Sequence, residues 1–176
     1  MQKTLKKAVV SVIMAVALVL GIVVGIIIEK QIDKASPAEL DFDFACLFQD
    51  LCEEDTCYVI GHKSPDTDTV CSAILLADLL NKHGVKCEAC ISGKINNETK
   101  FILEQFGITA PEIMEKADGK KFILVDHSEY SQMIDGMENA EIVGIFDHHA
   151  VGNVRTDSPI IYEELNVGST ATVIYK

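Results

Sequence analysis

The sequence has few cysteines, few basic residues, and no internal repeat or low-complexity tract. Six cysteines among 176 residues are too few for a small disulfide-stabilised scaffold. Fifteen lysines and arginines stand against 27 aspartates and glutamates, and the formal net charge of −12 excludes a general nucleic-acid-binding surface. Hydrophobic residues make up 48% of the chain and charged residues 24%, which excludes a disordered protein. The length predicts one domain with a sizeable core.

A mean hydropathy of +0.22 is unusual for so acidic a chain, and one segment near the N-terminus explains it. From Ala8 to Ile28 the chain runs for 21 residues without a charge. At about 1.5 Å per residue, a helix of this length covers the roughly 30 Å of a bilayer's hydrocarbon core. The run therefore predicts an uncleaved, single-pass membrane anchor, with residues 1–34 as the anchor and its flanks. A cleaved signal peptide is the alternative, because three lysines precede the run: Lys3, Lys6 and Lys7.

Two features of this segment bear on orientation and assembly. Lys30 and Lys34 follow the run, so lysines flank it on both sides and the side of the membrane stays open. Gly21 and Gly25 have the G-x-x-x-G spacing through which two helices can approach closely. A homodimer is therefore a hypothesis that rests on this spacing alone.

The rest of the chain is strongly acidic. Residues 35–176 hold 10 basic and 25 acidic residues, a net charge of −15. Such a domain repels polyanions unless metal ions or local lysines reverse the field at one place. We interpret residues 35–55 as an acidic stalk with a short amphipathic helix near residues 44–51, and residues 56–176 as the folded domain in which the functional residues are to be sought.

Within residues 56–176, short apolar runs alternate with stretches whose apolar residues recur at helical spacing. The predicted strands are 57–61, 85–91, 121–125, 141–146 and 160–165, and the predicted helices are 69–82, 97–106 and one that starts at Ser169. This alternation predicts an α/β fold, a parallel sheet with helices on both faces. In open sheets of this class, ligands bind beyond the carboxyl ends of the strands.

Acidic residues and histidines follow three of the predicted strands, at the point where each strand ends. They are His62, Asp66 and Asp68 after the first strand, Asp126 and His127 after the third, and Asp147, His148 and His149 after the fourth. Taken singly, an aspartate here could cap the next helix and a histidine could lie in a surface loop. Brought to one edge of a sheet, so many carboxylates would repel one another unless a cation were present. Carboxylate and imidazole donors without a cysteine predict a pair of divalent ions, from among Mn²⁺, Mg²⁺, Co²⁺ and Zn²⁺.

Four sequence blocks carry a resemblance to a known family. They are GHKSPDTDTVCSAI from Gly61, LVDH from Leu124, FDHH from Phe146 and VGSTAT from Val167. From about Cys57 onwards the chain resembles the DHH phosphoesterase superfamily, and most closely the N-terminal domain of the manganese-dependent (family II) inorganic pyrophosphatases. The P-D-T-D form of the first block points to pyrophosphatases and related polyphosphatases.

The resemblance implies a two-metal hydrolase that converts pyrophosphate, or a polyphosphate-like substrate, to phosphate with a metal-activated water. It implies two divalent ions, Mn²⁺ before Co²⁺ or Mg²⁺. It also implies a role for each matching residue: His62, Asp66 and Asp126 hold the first ion, Asp68, His148 and Asp126 the second, His149 is the catalytic proton donor, and Asp147 orients its histidine neighbours. His127 matches the motif, but the resemblance gives it no clear role.

This chain also departs from the family pattern. Ser64 stands where the family usually has asparagine, and Ala150 where a basic residue is common. Members of the family continue beyond the point matched by Lys176 with one more metal-binding aspartate and a second domain that clamps the substrate. The expectation is therefore an N-terminal domain, truncated at its C-terminus. Two alternatives stay open: a domain that binds metal without turnover, and a phosphodiesterase acting on short oligonucleotides or cyclic dinucleotides.

The cysteines leave a further question open. Cys87 and Cys90 form a single C-x-x-C, which is a weak signal for zinc or redox chemistry. A disulfide among Cys46, Cys52 and Cys57 would be plausible if the domain lay outside the cytoplasm.

Overall fold

The fold centres on a parallel sheet of six strands. The computed structural model describes residues 46–49, 52, 55–117 and 119–176. The strands are β1 (Cys57–Ile60), β2 (Cys87–Ile91), β3 (Glu112–Ile113), β4 (Lys121–Val125), β5 (Glu141–Asp147) and β6 (Ile161–Glu164). They lie in the order β3-β2-β1-β4-β5-β6, and every neighbouring pair is parallel. The predicted α/β class and parallel sheet are confirmed.

The helices begin and end where the sequence supplies capping residues. From residue 55 onwards the described α-helices are α1 (Thr67–Lys82), α2 (Asn97–Phe106) and α3 (Thr170–Tyr175), and residues 46–49 are also helical. Their N-caps are Asp66, Asn96 and Ser169, and each cap's side chain accepts a hydrogen bond from the backbone N–H three residues on. Helix α2 ends at Gly107, whose φ of 64° is the left-handed conformation that glycine adopts without strain.

Strand β4 divides the core between the two faces of the sheet. Ile123 and Val125 pack with α1 and α3 on one face. Phe122 and Leu124 point to the other face and pack with Met133, Ile134 and Met137. Two short 3₁₀ helices, Tyr130–Gln132 and Met137–Asn139, lie in the segment that covers this second face. The helices on both faces that we predicted are therefore present, but on the second face the described helices are 3₁₀ turns.

In the described part of the chain no helix is both long and apolar enough to cross a bilayer. On this finding the predicted membrane anchor is wrong. The longest described helix, α1, has 16 residues and a polar face, whereas a span needs about 20 consecutive apolar residues. The run from Ala8 to Ile28, with its G-x-x-x-G spacing, lies outside the described residues. The transmembrane helix, the membrane as a partner and the membrane localisation are withdrawn accordingly.

Three buried thiols meet at the end of the sheet where β1 and β2 begin, which we call the amino edge. Cys57 and Cys87 are register partners on these neighbouring strands, and the Cys57 thiol also shares a hydrogen bond with Cys52. Hydrogen bonds with Cys52 and Cys87, together with burial, hold the pKa of Cys57 far above its ordinary value of 9.0. All three are free thiols in this structure, as is Cys46.

Candidate metal centre

The opposite end of the sheet, which we call the carboxyl edge, gathers the acidic residues and histidines that the sequence singled out. Three connections bring them together: the loop that joins β1 to α1, the residues directly after β4, and the end of β5. Because the strands are parallel and β1, β4 and β5 are consecutive neighbours, their carboxyl ends converge on one place.

Asp126 occupies the middle of this cluster. Its side chain is 2% exposed, and its backbone has a φ of 66°, a left-handed conformation that aspartate tolerates better than most residues. Burial alone would raise the pKa of Asp126, but hydrogen bonds from His62, Thr69 and Thr170 outweigh it and lower the pKa to about 2. Asp126 is therefore an ionised carboxylate in the protein interior, a state that needs compensating charge.

Two residues from the β1–α1 loop face one oxygen of Asp126. His62 Nε2 lies 3.5 Å from Asp126 Oδ2 and 3.9 Å from Asp66 Oδ2. The other ring nitrogen of His62, Nδ1, donates to the carbonyl of Lys63 at 2.7 Å. With Nδ1 donating to Lys63, the ring turns Nε2 towards the carboxylates: protonated, Nε2 donates to Asp126, and once deprotonated it can bind a cation, as in metal-binding histidines. We call His62, Asp66 and Oδ2 of Asp126 the first donor group.

The second oxygen of Asp126 faces a separate pair of side chains. His148 Nε2 lies 3.3 Å from Asp126 Oδ1 and 3.6 Å from Asp68 Oδ2. His148 Nδ1 donates to the carbonyl of Val167 at 3.1 Å, so this ring too presents Nε2 to the carboxylates. We call Asp68, His148 and Oδ1 of Asp126 the second donor group.

The two aspartates of the first block have different partners. Asp66 caps α1 through Oδ1, which accepts from the Thr69 N–H at 2.9 Å, and leaves Oδ2 facing His62. Capping and a place in the donor group were alternatives in the sequence, and one side chain does both. Asp68 is held by the backbone at the start of α3, where the N–H groups of Thr170 and Ala171 donate to it at 2.7 and 3.1 Å.

Asp147 holds His149 beside the cluster. One oxygen of this fully buried carboxylate accepts the backbone N–H groups of His148 and His149 at 2.8 and 3.0 Å, and His149 Nδ1–H at 2.8 Å. The same ring nitrogen of His149 lies 3.7 Å from Asp126 Oδ1. Because Nδ1–H of His149 donates its hydrogen bond to Asp147, Nε2 of this half-exposed ring remains available for another partner.

His127 stays apart from the carboxylates. Its side chain is 2% exposed, and Nδ1 donates to the carbonyl of Val125 at 2.9 Å. Burial lowers the pKa of His127, and Nε2 has no hydrogen-bond partner among the described residues. The ring packs edge-on against His62, with the ring centroids 6.3 Å apart. This contact is consistent with a structural part for His127, next to a residue of the first donor group.

Ser64, the first departure from the family pattern, lies at a turn whose conformation favours asparagine. Its φ of 61° is left-handed, a conformation in which asparagine is enriched and serine is uncommon. The neighbouring Lys63 donates its backbone N–H to the carbonyl of Gln132 at 2.7 Å, which pins the loop. The substitution therefore changes the residue at a strained turn and not a residue of either donor group.

The donor set fits divalent cations. Two triplets each offer nitrogen and oxygen atoms within 4.8 Å of one another: His62-Asp66-Asp126 is the first donor group, and Asp126-His148-His149 shares Asp126 and His148 with the second donor group but has His149 in place of Asp68. Imidazole and carboxylate donors without sulfur suit first-row divalent ions and Mg²⁺. The site can therefore bring cations to both oxygens of one buried carboxylate.

Sequence reasoning missed two hydroxyl groups in this cluster. Thr69 Oγ1 donates to Asp126 Oδ2 at 2.7 Å, and Thr170 Oγ1 donates to Asp126 Oδ1 at 2.9 Å. Both residues lie inside blocks that carry the resemblance, but a threonine near a helix start predicts a cap as readily as a contact with a distant carboxylate.

Comparisons with known proteins identify the family. The family model described as "DHH family, N-terminal domain" matches residues 56–176. A probable manganese-dependent inorganic pyrophosphatase of Archaeoglobus fulgidus is 51% identical, over 69% of this chain and 41% of its own length. The manganese-dependent inorganic pyrophosphatase of Methanothrix thermoacetophila is 48% identical, over 68% of this chain and 39% of its own length.

Solved structures give the same picture. A crystal structure from Methanococcus jannaschii, of a protein assigned to the family II inorganic pyrophosphatases, matches with a TM-score of 0.62 and 51% identity. It covers 67% of this chain and 37% of that one. An exopolyphosphatase-related protein from Bacteroides fragilis shares the fold at 14% identity, with a TM-score of 0.50, over 78% of this chain and 42% of its own.

This chain spans about two fifths of the length of the curated relatives that it matches. The matched residues include all four blocks and both donor groups. The chain belongs to the DHH family.

Proposed function

We propose that this chain carries the two-metal centre of a phosphoanhydride hydrolase whose substrate is inorganic pyrophosphate. The observation that carries the proposal is the single buried carboxylate of Asp126, with one donor group on each oxygen. The similarity to manganese-dependent inorganic pyrophosphatases supports the substrate and the metal.

In this proposal His62, Asp66 and Asp126 would hold one Mn²⁺ ion, and Asp68, His148 and Asp126 would hold the other. When bound, the ions lower the pKa of water and neutralise phosphoryl oxygens, which favours in-line attack of water on phosphorus. The products balance as two phosphates, because water adds across the P–O–P bond that breaks.

His149 is the proposed proton donor of the reaction. Asp147 fixes the ring through Nδ1–H, which leaves Nε2–H of the protonated ring to face a substrate at the exposed side of the cluster. His149 would give its proton to the phosphate oxygen that leaves, and Asp147 acts by orienting His149.

The test is phosphate release from pyrophosphate by the full chain with Mn²⁺, compared with Asp126→Ala. We expect Mn²⁺-dependent release that is absent from the variant. The matched control is Asp135→Ala, since Asp135 is an exposed aspartate whose contact is with Lys63 outside both donor groups.

Two results would contradict the proposal in different ways. Mn²⁺ binding without phosphate release above the Asp126→Ala level would identify a metal-binding domain without turnover. Hydrolysis of a dinucleotide without hydrolysis of pyrophosphate would identify a phosphodiesterase.

A further inference from the structure

Thr69 makes two hydrogen bonds, and both reach carboxylates of the first donor group. It is 1% exposed at the start of α1. Its backbone N–H donates to Asp66 Oδ1 at 2.9 Å, and its hydroxyl donates to Asp126 Oδ2 at 2.7 Å. One residue thereby fixes the relative position of two side chains that are 60 positions apart in the sequence.

Thr170 repeats this arrangement in the second donor group. It is fully buried at the start of α3. Its backbone N–H donates to Asp68 Oδ2 at 2.7 Å, and its hydroxyl donates to Asp126 Oδ1 at 2.9 Å. The two threonines thus contact opposite oxygens of the same carboxylate, each together with one further aspartate.

The direction of these hydrogen bonds follows from chemistry. An ionised carboxylate only accepts, so each hydroxyl must point its proton at Asp126. Each carboxylate oxygen has two lone-pair positions, and the threonine takes one of them. The other faces His62 Nε2 at 3.5 Å on Oδ2 and His148 Nε2 at 3.3 Å on Oδ1. Two hydroxyls on opposite oxygens therefore set the rotation of the carboxylate about its own axis.

We propose that Thr69 and Thr170 are paired positioning residues, each of which presets the two carboxylates of one cation. Thr69 presets Asp66 and one oxygen of Asp126 for the first ion, and Thr170 presets Asp68 and the other oxygen for the second. This inference rests on the two-metal centre of the proposed function. It adds that the two ions are tuned separately, by residues that touch neither ion.

Gly61 makes room for one of these residues. A Cβ atom at position 61 would overlap the Thr69 methyl group and approach the carbonyl oxygen of Val125 to 3.2 Å. Glycine at the end of β1 therefore lets Thr69 reach across to Asp126.

The experiment compares valine and serine at both positions in the full chain. Valine keeps the shape and the backbone N–H but removes the hydroxyl, and serine restores it. Mn²⁺ affinity and stoichiometry are measured by calorimetry, and the metal pair by electron paramagnetic resonance, because two bridged Mn²⁺ ions are exchange-coupled and an isolated ion gives a six-line signal. We expect each valine variant to bind one of its two ions about 10- to 100-fold more weakly and to lose coupling, with recovery in the serine variant.

The ion that is lost is identified with Co²⁺. A histidine bound to Co²⁺ through Nε2 gives a strongly shifted proton resonance from Nδ1–H, so His62 and His148 each report one ion. We expect the His62 signal to be lost first in Thr69→Val and the His148 signal to be lost first in Thr170→Val.

Thr99→Val is the matched control. Thr99 is a fully buried threonine whose hydroxyl meets Thr67 Oγ1 at 3.0 Å. It contacts neither donor group by any hydrogen bond described for it, so this variant should keep two coupled ions.

Three results would overturn the positioning role. They are two coupled ions with unchanged affinity in both valine variants, an equal loss in Thr99→Val, and failure of serine to restore binding. A wild-type chain that binds fewer than two Mn²⁺ ions would instead overturn the proposed two-metal centre, and the positioning role with it.

Discussion

The two edges of the sheet bury opposite kinds of chemistry. At the amino edge the buried polar groups are thiols, and hydrogen bonds and burial keep the Cys57 thiol protonated. At the carboxyl edge the buried groups include two carboxylates, Asp126 and Asp147, and Asp126 is ionised with a pKa of about 2. Both edges belong to strands of one sheet, so a single scaffold supports a neutral interior and a charged one.

The difference separates stability from binding. A protonated thiol behaves as a small apolar group and costs little to bury. A buried carboxylate costs several kcal/mol unless a cation or hydrogen bonds compensate it, on the order of the penalties known for buried ions. We therefore expect substitutions at the carboxyl edge to change cation binding, and substitutions in the apolar core to change the free energy of unfolding.

The largest effect on cation binding at the carboxyl edge is expected for Asp126→Asn. The substitution keeps the shape but removes the charge shared by both donor groups. We expect Mn²⁺ affinity to fall by at least about 100-fold, the upper value for groups that only orient metal ligands. Calorimetric titration measures the effect, and Asp135→Asn, at an exposed aspartate, is the control. Retention of two tight Mn²⁺ sites in Asp126→Asn would refute the shared carboxylate.

A second test compares two leucine-to-alanine variants of α1, one in the core and one on the surface. Leu80 is fully buried, whereas Leu75 on the same helix is 41% exposed. Leu80→Ala should lower the free energy of unfolding by about 2–5 kcal/mol, and Leu75→Ala should change it by less than about 0.5 kcal/mol. Denaturant unfolding of the metal-free protein measures both. Neither variant should alter the number of Mn²⁺ ions bound, and a lost ion in Leu80→Ala would show that the core and the site are not separable.

The smallest expected effect is the pH dependence of cation binding. The hydrogen bond with Asp126 raises the pKa of His62 from its ordinary 6.5 to about 8. A cation must displace that proton, so Mn²⁺ affinity should rise by up to about tenfold per pH unit below pH 8 and level off above it. The sign is opposite for the metal-free fold, because the protonated pair stabilises it fully below pH 6.5 and is lost as the pH rises through 8.

Calorimetry in buffers of different ionisation enthalpy checks this expectation. Close to one proton should be released from His62 per first ion bound at pH 7. His83→Gln is the control, because His83 is the C-cap of α1, at the opposite end of that helix from Asp66 and the site. Affinity that does not change between pH 6 and pH 8 would contradict the assignment of His62 as a donor.

The sequence predicts a strand or helix correctly where the residues of that element alone determine it. The predicted strand 121–125 and helix 97–106 coincide with β4 and α2, because an unbroken apolar run forms the first and an asparagine cap with a closing glycine bounds the second. Strand β3 was missed. Its two residues, Glu112 and Ile113, are exposed and form a strand only by pairing with Cys90 and Ile91 of β2. A strand of two residues is too short to show the alternation of apolar and polar residues from which strands are predicted.

The same limit applies to the site. The aspartates and histidines could be found because each follows a strand, and parallel strands bring their ends together. The roles of Thr69 and Thr170 could not be found in this way, since their partners lie 57 and 44 positions away along the chain. The membrane anchor was predicted from length and apolarity alone, and no described helix has both.

The contacts of Thr170 also set an order of assembly. Its N–H meets Asp68, 102 positions earlier, whereas every residue of the first donor group and its threonine is present once the chain has reached Asp126. In a polypeptide that folds as it leaves the ribosome, the residues of the first donor group are therefore available before those that hold the second. The two donor groups therefore become complete at different points of the sequence, the first at Asp126 and the second only when α3 is present.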